Sequence, residues 1–157
     1  MNVKYVMLFA VVLLITTAFL SCSPVKKVAK QITVGSGEIP PEIRKGDFVL
    51  LGILRGNKSY DKALQKNFAD YKGAYKLCGR DELETTYKDK DQYRYLMDYT
   101  VGMGSSPGNG KGMLFKGYRF YILDRKTNRK YKRLSRSSFK NLEIKVYLSA
   151  IERELKK

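Results

Sequence analysis

FVLLGIL (48–54) is an uninterrupted run of seven residues with no charged or polar side chain. A strand covered on one face alternates apolar and polar residues. An unbroken run belongs instead to a strand buried on both faces, as at the parallel centre of a sheet. RGNKS (55–59) then supplies a turn, and Ser59 is expected to cap a helix reaching about Ala69. On that helix Tyr60, Leu64, Phe68 and Tyr71 form one apolar stripe, with Asp61, Lys62 and Lys66 among the polar positions. Gly73 follows, and AYKLC (74–78) reads as a second strand. Strand, helix and strand in this order predict a right-handed parallel crossover.

Downstream, RDELETTYKDKD (80–91) is polar and reads as a loop. QYRYLMDYTVGM (92–103) alternates, placing Tyr93, Tyr95, Met97, Tyr99 and Val101 on one face. MLFKGYRFYILD (113–124) is a further strand with Tyr118, Phe120 and Ile122 on one side, and YKRL (131–134) returns after the turn RKTNRK (125–130). Ser137 or Ser138 is expected to cap a last helix carrying Ile144, Leu148, Ile151 and Leu155. The order β-α-β-β-β-β-α predicts an α+β domain: a mixed sheet of about five strands with two helices on one face.

At the other end, YVMLFAVVLLITTAFL (5–20) is uncharged and mostly apolar, and Lys4 precedes it. This is a charged segment followed by a secretory-type apolar core. Ser21 is small, and Cys22 follows directly. The segment resembles a type II (lipobox) bacterial lipoprotein signal, in which the cysteine becomes the lipidated first residue, although Phe19 and Leu20 stand where that family favours Leu and a small residue. The resemblance implies a signal peptide over 1–21 and a palmitate-bearing Cys22. The alternative is an uncleaved helix, since the apolar block is long enough to cross about 30 Å of hydrocarbon. Lys26, Lys27 and Lys30 follow the block, an arrangement that would hold the domain in the cytoplasm. Residues 22–46, with alternating lysines, small residues and Pro40-Pro41, read as the lipidated cysteine and a tether, in which ITV (32–34) could add an edge strand. A single domain is then expected over 47–157.

The chain has 157 residues, 31 Lys+Arg against 15 Asp+Glu and a net charge of +16. The excess is uneven: residues 38–110 hold 12 basic and 11 acidic residues, and 111–157 hold 15 against 4. DRKTNRKYKRLSR (124–136) concentrates Arg125, Lys126, Arg129, Lys130, Lys132, Arg133 and Arg136. Such a cluster attracts anionic headgroups, acidic glycans or an acidic partner. An exported domain meets little nucleic acid, so none is expected as partner. The bland alternative is a solvated basic hairpin.

Histidine is absent, which removes Ser-His-Asp and Cys-His catalysis and His-bearing zinc sites. Cys78 is the one cysteine besides Cys22, so no internal disulfide forms if Cys22 carries lipid, and Cys78 reads as a buried thiol. SSPGNGKG (105–112) lacks the Ser or Thr and the following helix of a phosphate-binding loop, and reads as a hairpin connection. Asp81, Glu82, Glu84, Asp89 and Asp91 could serve a glycan-acting enzyme or calcium, but their interleaving with Lys88 and Lys90 reads as a solvated charge run.

The chain has 12 tyrosines and no tryptophan. The face bearing Tyr93, Tyr95 and Tyr99 is expected under the helices, because Met97 and Val101 share it. Arg94, Asp98 and Thr100 are then left on the open face; the alternative is a tyrosine-lined glycan- or protein-binding surface.

The predicted order of strand, helix, strand, meander and terminal helix over 47–155 resembles small envelope-assembly lipoproteins, including the lipopolysaccharide-assembly and curli-secretion types. The resemblance is architectural and transfers no binding residue. The expected function is that of a non-enzymatic lipoprotein without a cofactor, anchored to the outer membrane through Cys22, facing the periplasm and supporting outer-membrane assembly. Such a protein would bind an envelope protein or lipopolysaccharide. A cell-wall enzyme using Asp/Glu and a small-ligand module are the alternatives.

Overall fold

In the computed structural model, residues 24–106 and 113–157 are described. Five strands form one mixed sheet: β1 (Leu50–Ile53), β2 (Tyr75–Cys78), β3 (Tyr95–Ser106), β4 (Met113–Asp124) and β5 (Arg129–Lys132). Their order is β2-β1-β3-β4-β5. β1 is parallel to both neighbours, and the remaining pairs are antiparallel. Three helices accompany the sheet: α1 (Pro24–Gln31), α2 (Lys58–Ala69) and α3 (Lys140–Glu154). The α+β class and the strand content match the sequence-based expectation.

All four β1 residues are buried. Leu50 packs with the helices, while Leu51 and Ile53 join Cys78, Leu96 and Tyr121 on the opposite face. The apolar run 48–54 is thus explained by burial on both sides. Gly52 is required by packing: a Cβ there would stand 2.6 Å from Leu77 Cδ2 and 3.0 Å from the Phe68 ring. Helix α2 is capped two residues earlier than Ser59 would set it, by Asn57, whose side chain accepts from the Tyr60 N–H at 3.0 Å. Neither Ser137 nor Ser138 caps α3; its N-cap is Phe139, and Ser137 pairs with Tyr118 as an isolated bridge.

The expectation of a tether through residue 46 is corrected from Pro24 onward. Residues 24–31 form α1, which packs on α3, and ITV contributes no strand. Ala29, Ile32, Ile39 and Ile43 are buried in the main core. Arg153 of α3 donates to the carbonyls of Ala29 (2.5 Å) and Ile32 (2.6 Å), at and just beyond the C-terminal end of α1. Among the described residues, no helix is long and apolar enough to cross a membrane. The apolar block 5–20 and Cys22 lie outside the described residues.

Tyr95, Met97 and Tyr99 lie under the helices, as expected from their company. Two neighbours depart from that expectation. Tyr93 precedes β3 and packs on the opposite cluster, and Val101 is exposed. Part of the opposite face is covered by the polar loop after β2, through Leu83, Tyr87 and Tyr93. The rest of that face is open.

Candidate functional site

The site is built on the sheet face away from the helices. Register places Leu96, Asp98, Thr100, Gly102 and Gly104 of β3 there, opposite Leu123, Tyr121, Arg119, Gly117 and Phe115 of β4. β5 adds Lys130 and Lys132, opposite Leu123 and Tyr121. Asp98 is the only acid that the strands turn to this side.

Asp98 is buried and accepts five hydrogen bonds. Arg55 contributes two, from Nε and Nη2 at 2.7 Å each, and Arg80 Nη2 a third at 2.6 Å. The Tyr99 N–H (2.8 Å) and the Tyr121 hydroxyl (3.1 Å) supply the others. Arg55 follows β1 and Arg80 follows β2, so the carboxylate ties the C-terminal ends of two parallel strands to β3. Burial pushes the Tyr121 phenol up to about 12, and the nearby Asp98 charge pushes the same way. With its lone pairs occupied, Asp98 has no free acceptor with which to take a proton from a substrate; it neutralises guanidinium charge. Beside it lies a cavity of about 360 Å³ bounded by Ile53, Arg80, Leu96, Tyr121 and Lys130.

The seven residues of the basic cluster separate in space. Arg125 is buried and acts as a clamp, donating to the carbonyls of Leu83 (2.9 Å), Tyr87 (2.6 Å) and Tyr93 (3.0 Å), so that it holds the loop over the sheet. Arg133 is also buried, paired with Glu38 (2.6 Å) and Glu143 (3.2 Å). Neither is available to an anionic surface, and for these two the expected binding role is corrected: the core consumes their charge. Lys126 pairs with Asp91, and the Arg129 guanidinium lies 4.9 Å from the Tyr131 ring centre on the helical side of the sheet. Lys130, Lys132 and Arg136 remain on the open face. Sequence reasoning missed Arg55, Arg80 and Arg119 there. The alternation of 113–124 held the signal for Arg119, which is out of phase with Tyr118, Phe120 and Ile122 and so faces away from the helices.

Arg136 crosses this face through a gap left by two facing glycines. A Cβ on Gly102 would stand 2.8 Å from the Arg136 Cζ, and one on Gly117 would stand 2.9 Å from the Arg136 Cβ. A cleft of about 340 Å³ beside it is bounded by Gly104, Phe115, Arg119, Ser135 and Arg136.

The acidic run has local structural work. Glu82 accepts the Gly79 N–H at 2.6 Å, and Asp89 accepts that of Asp91 at 2.8 Å. Among the described residues no group of three or more His, Cys, Asp or Glu side chains is placed to hold a metal ion. Cys78 is buried, and its thiol is pushed up to about 11 by burial and by the Glu82 charge.

No protein-family profile matches the chain, and no curated protein does. A solved structure with similarity is a single-substitution variant of the PelC dodecamer from Paraburkholderia phytofirmans, at 14% identity and a TM-score of 0.37, covering 67% of this chain and 87% of that one. A likeness of that size carries no functional argument.

Proposed function

We propose that this protein is a non-enzymatic binding module of the cell envelope, held to the outer membrane by lipid on Cys22 and facing the periplasm, whose open sheet face docks on anionic glycolipid. The observation that carries this reading is the gathering of Arg80, Arg119, Lys130, Lys132 and Arg136 on one sheet face whose only strand-borne acid, Asp98, is already matched by Arg55 and Arg80. A predominantly basic surface of this kind suits an extended array of phosphates. The Ser21-Cys22 junction supports the lipid anchor, and an anchor would bring the face close to charged headgroups.

The test uses the full-length protein in nonionic detergent and the double variant Lys130→Gln/Lys132→Gln, which leaves the supporting Arg125 and Arg133 in place. Each basic side chain near an anionic surface contributes about 1 kcal/mol, so the variant should leave immobilised heparin or lipopolysaccharide at clearly lower salt than the parent. Elution of both at the same salt would reject the docking face. For the anchor, intact-mass analysis should find the lipid adduct in the parent and not in Cys22→Ala; equal masses, apart from the side-chain change, would reject it.

A further inference from the structure

Two arginines on the open face lack the partners that every other inward-turned arginine described above possesses. Arg119 Nε and Arg136 Nη1 are buried nitrogens with no hydrogen-bond acceptor among the described residues. Neither side chain takes part in an ion pair there, whereas Arg55, Arg80, Arg94 and Arg133 each hold a carboxylate. The undescribed residues, 1–23 and 107–112, contain no Asp or Glu, so they supply no carboxylate either. A buried guanidinium N–H without an acceptor loses its hydration and gains nothing in return. Arg119 and Arg136 bring these two donors to one cleft.

The surroundings fit an anion. Arg119 and Arg136 border the same cleft of about 340 Å³, together with Ser135. Ser135 Oγ accepts from Arg133 Nη2 at 3.4 Å, which leaves its own hydroxyl proton free to donate. The Gly102–Gly117 pair gives the Arg136 side chain its path across the ladder, and the Phe115 ring, 2.7 Å from where a Gly104 Cβ would stand, walls the cleft. Two planar forks and a hydroxyl around a pocket larger than one water suit a tetrahedral oxyanion, and guanidinium donors reach phosphate oxygens in pairs.

We propose that Arg119 and Arg136, with Ser135, form a discrete binding site for a phosphate monoester group. It deepens the reading of the open face as an anion-docking surface by adding a specific seat within it. It is separable from that reading, because a surface that acts by charge alone has no need of the Gly102 gap.

The test measures inorganic phosphate binding to the full-length protein in nonionic micelles, followed through the arginine Nε–H resonances. In the parent, Arg119 and Arg136 signals should shift together and saturate. Arg119→Gln should weaken binding about tenfold, the usual effect of removing a hydrogen bond to a charged group. Gly102→Ala is the sharper variant: it keeps every charge and displaces only the movable Arg136 guanidinium, so it should lose phosphate affinity several-fold. Its retention on heparin should be unchanged. Non-saturating shifts in the parent, or equal phosphate affinity in the parent and Gly102→Ala, would overturn the site, whatever the Lys130→Gln/Lys132→Gln result says of the wider face. Micelles doped with phosphatidic acid or, at equal charge, phosphatidylglycerol identify the source. A preference for phosphatidic acid that free phosphate competes away assigns a headgroup. Saturable phosphate binding without that preference assigns a soluble phosphate compound.

Discussion

Arg133 Nη1 donates to Glu38 Oε1 at 2.6 Å, and this buried contact joins the exit of the β4–β5 hairpin to residues that precede the first strand. Glu38 also accepts from the Leu134 N–H at 2.8 Å and the Ser36 hydroxyl at 3.0 Å, and its backbone carbonyl accepts from the Tyr147 hydroxyl. Removing one member strands the others. Glu38→Ala or Arg133→Gln should therefore destabilise the protein by about 3–5 kcal/mol, the usual effect of leaving a buried charge unpaired. Lys132→Gln, at an exposed position, should change stability by less than about 0.5 kcal/mol. Urea midpoints that fall together for all three would contradict this division.

The same logic extends to apolar contacts before β1. Ile32 and Leu51 are both fully buried, one behind α1 and one on the open-face side of β1. Ile32→Ala and Leu51→Ala should each cost about 2–5 kcal/mol through the cavity left behind. A loss below about 1 kcal/mol for Ile32→Ala would return residues 24–46 to the status of a tether.

Glu154 provides a pH dependence with a definite sign. Burial alone would raise its carboxyl, but hydrogen bonds from Lys157, Arg44 and Arg153 outweigh it and hold the group at about 2, against an ordinary 4.5. The unfolded chain then takes up this proton first as pH falls. The contribution is complete above about 4.5 and is lost on the way down to about 2. Asp124, also held low despite its burial by the Arg94 guanidinium, acts in the same direction. Because Arg44 and Lys157 are nearly half exposed, the Glu154 share is on the order of 1–2 kcal/mol. Denaturant midpoints between pH 5 and 2 should fall less steeply in Glu154→Gln than in the parent. Equal slopes would remove Glu154 from the account.

Cys78 should be inert. Its thiol is buried and raised to about 11, so almost no thiolate exists at pH 8. In a Cys22→Ala background, a thiol reagent should label the folded protein only at the rate of unfolding and the urea-unfolded chain at once. Rapid labelling without urea would place Cys78 at the surface.

How legible this was differs from element to element. β1 and α2 could be read because each carries one strong local signal, an unbroken apolar run and a four-residue stripe. α1 was hidden by composition. Three lysines and the downstream Pro40-Pro41 suggest a solvated linker, although Val25, Ala29 and Ile32 keep helical spacing and all three face the core. The basic cluster was visible as charge but not as roles. Nothing local distinguishes Arg125 and Arg133, each consumed by acceptors 10 to 95 residues away, from Lys130 and Lys132 beside them. Arg55, Arg80 and Asp98 were unreadable as a set for the same reason: pairing across β2-β1-β3 brings them together.

The bonds from Arg44 to Glu154, and from Arg153 to Ala29 and Ile32, span more than a hundred positions. They set a schedule for synthesis. Closing loops of this span is entropically slow, and α1 has nothing to dock on until α3 has left the ribosome. A growing chain therefore emerges without its first helix seated, with Ile32, Ile39 and Ile43 uncovered and available to a chaperone.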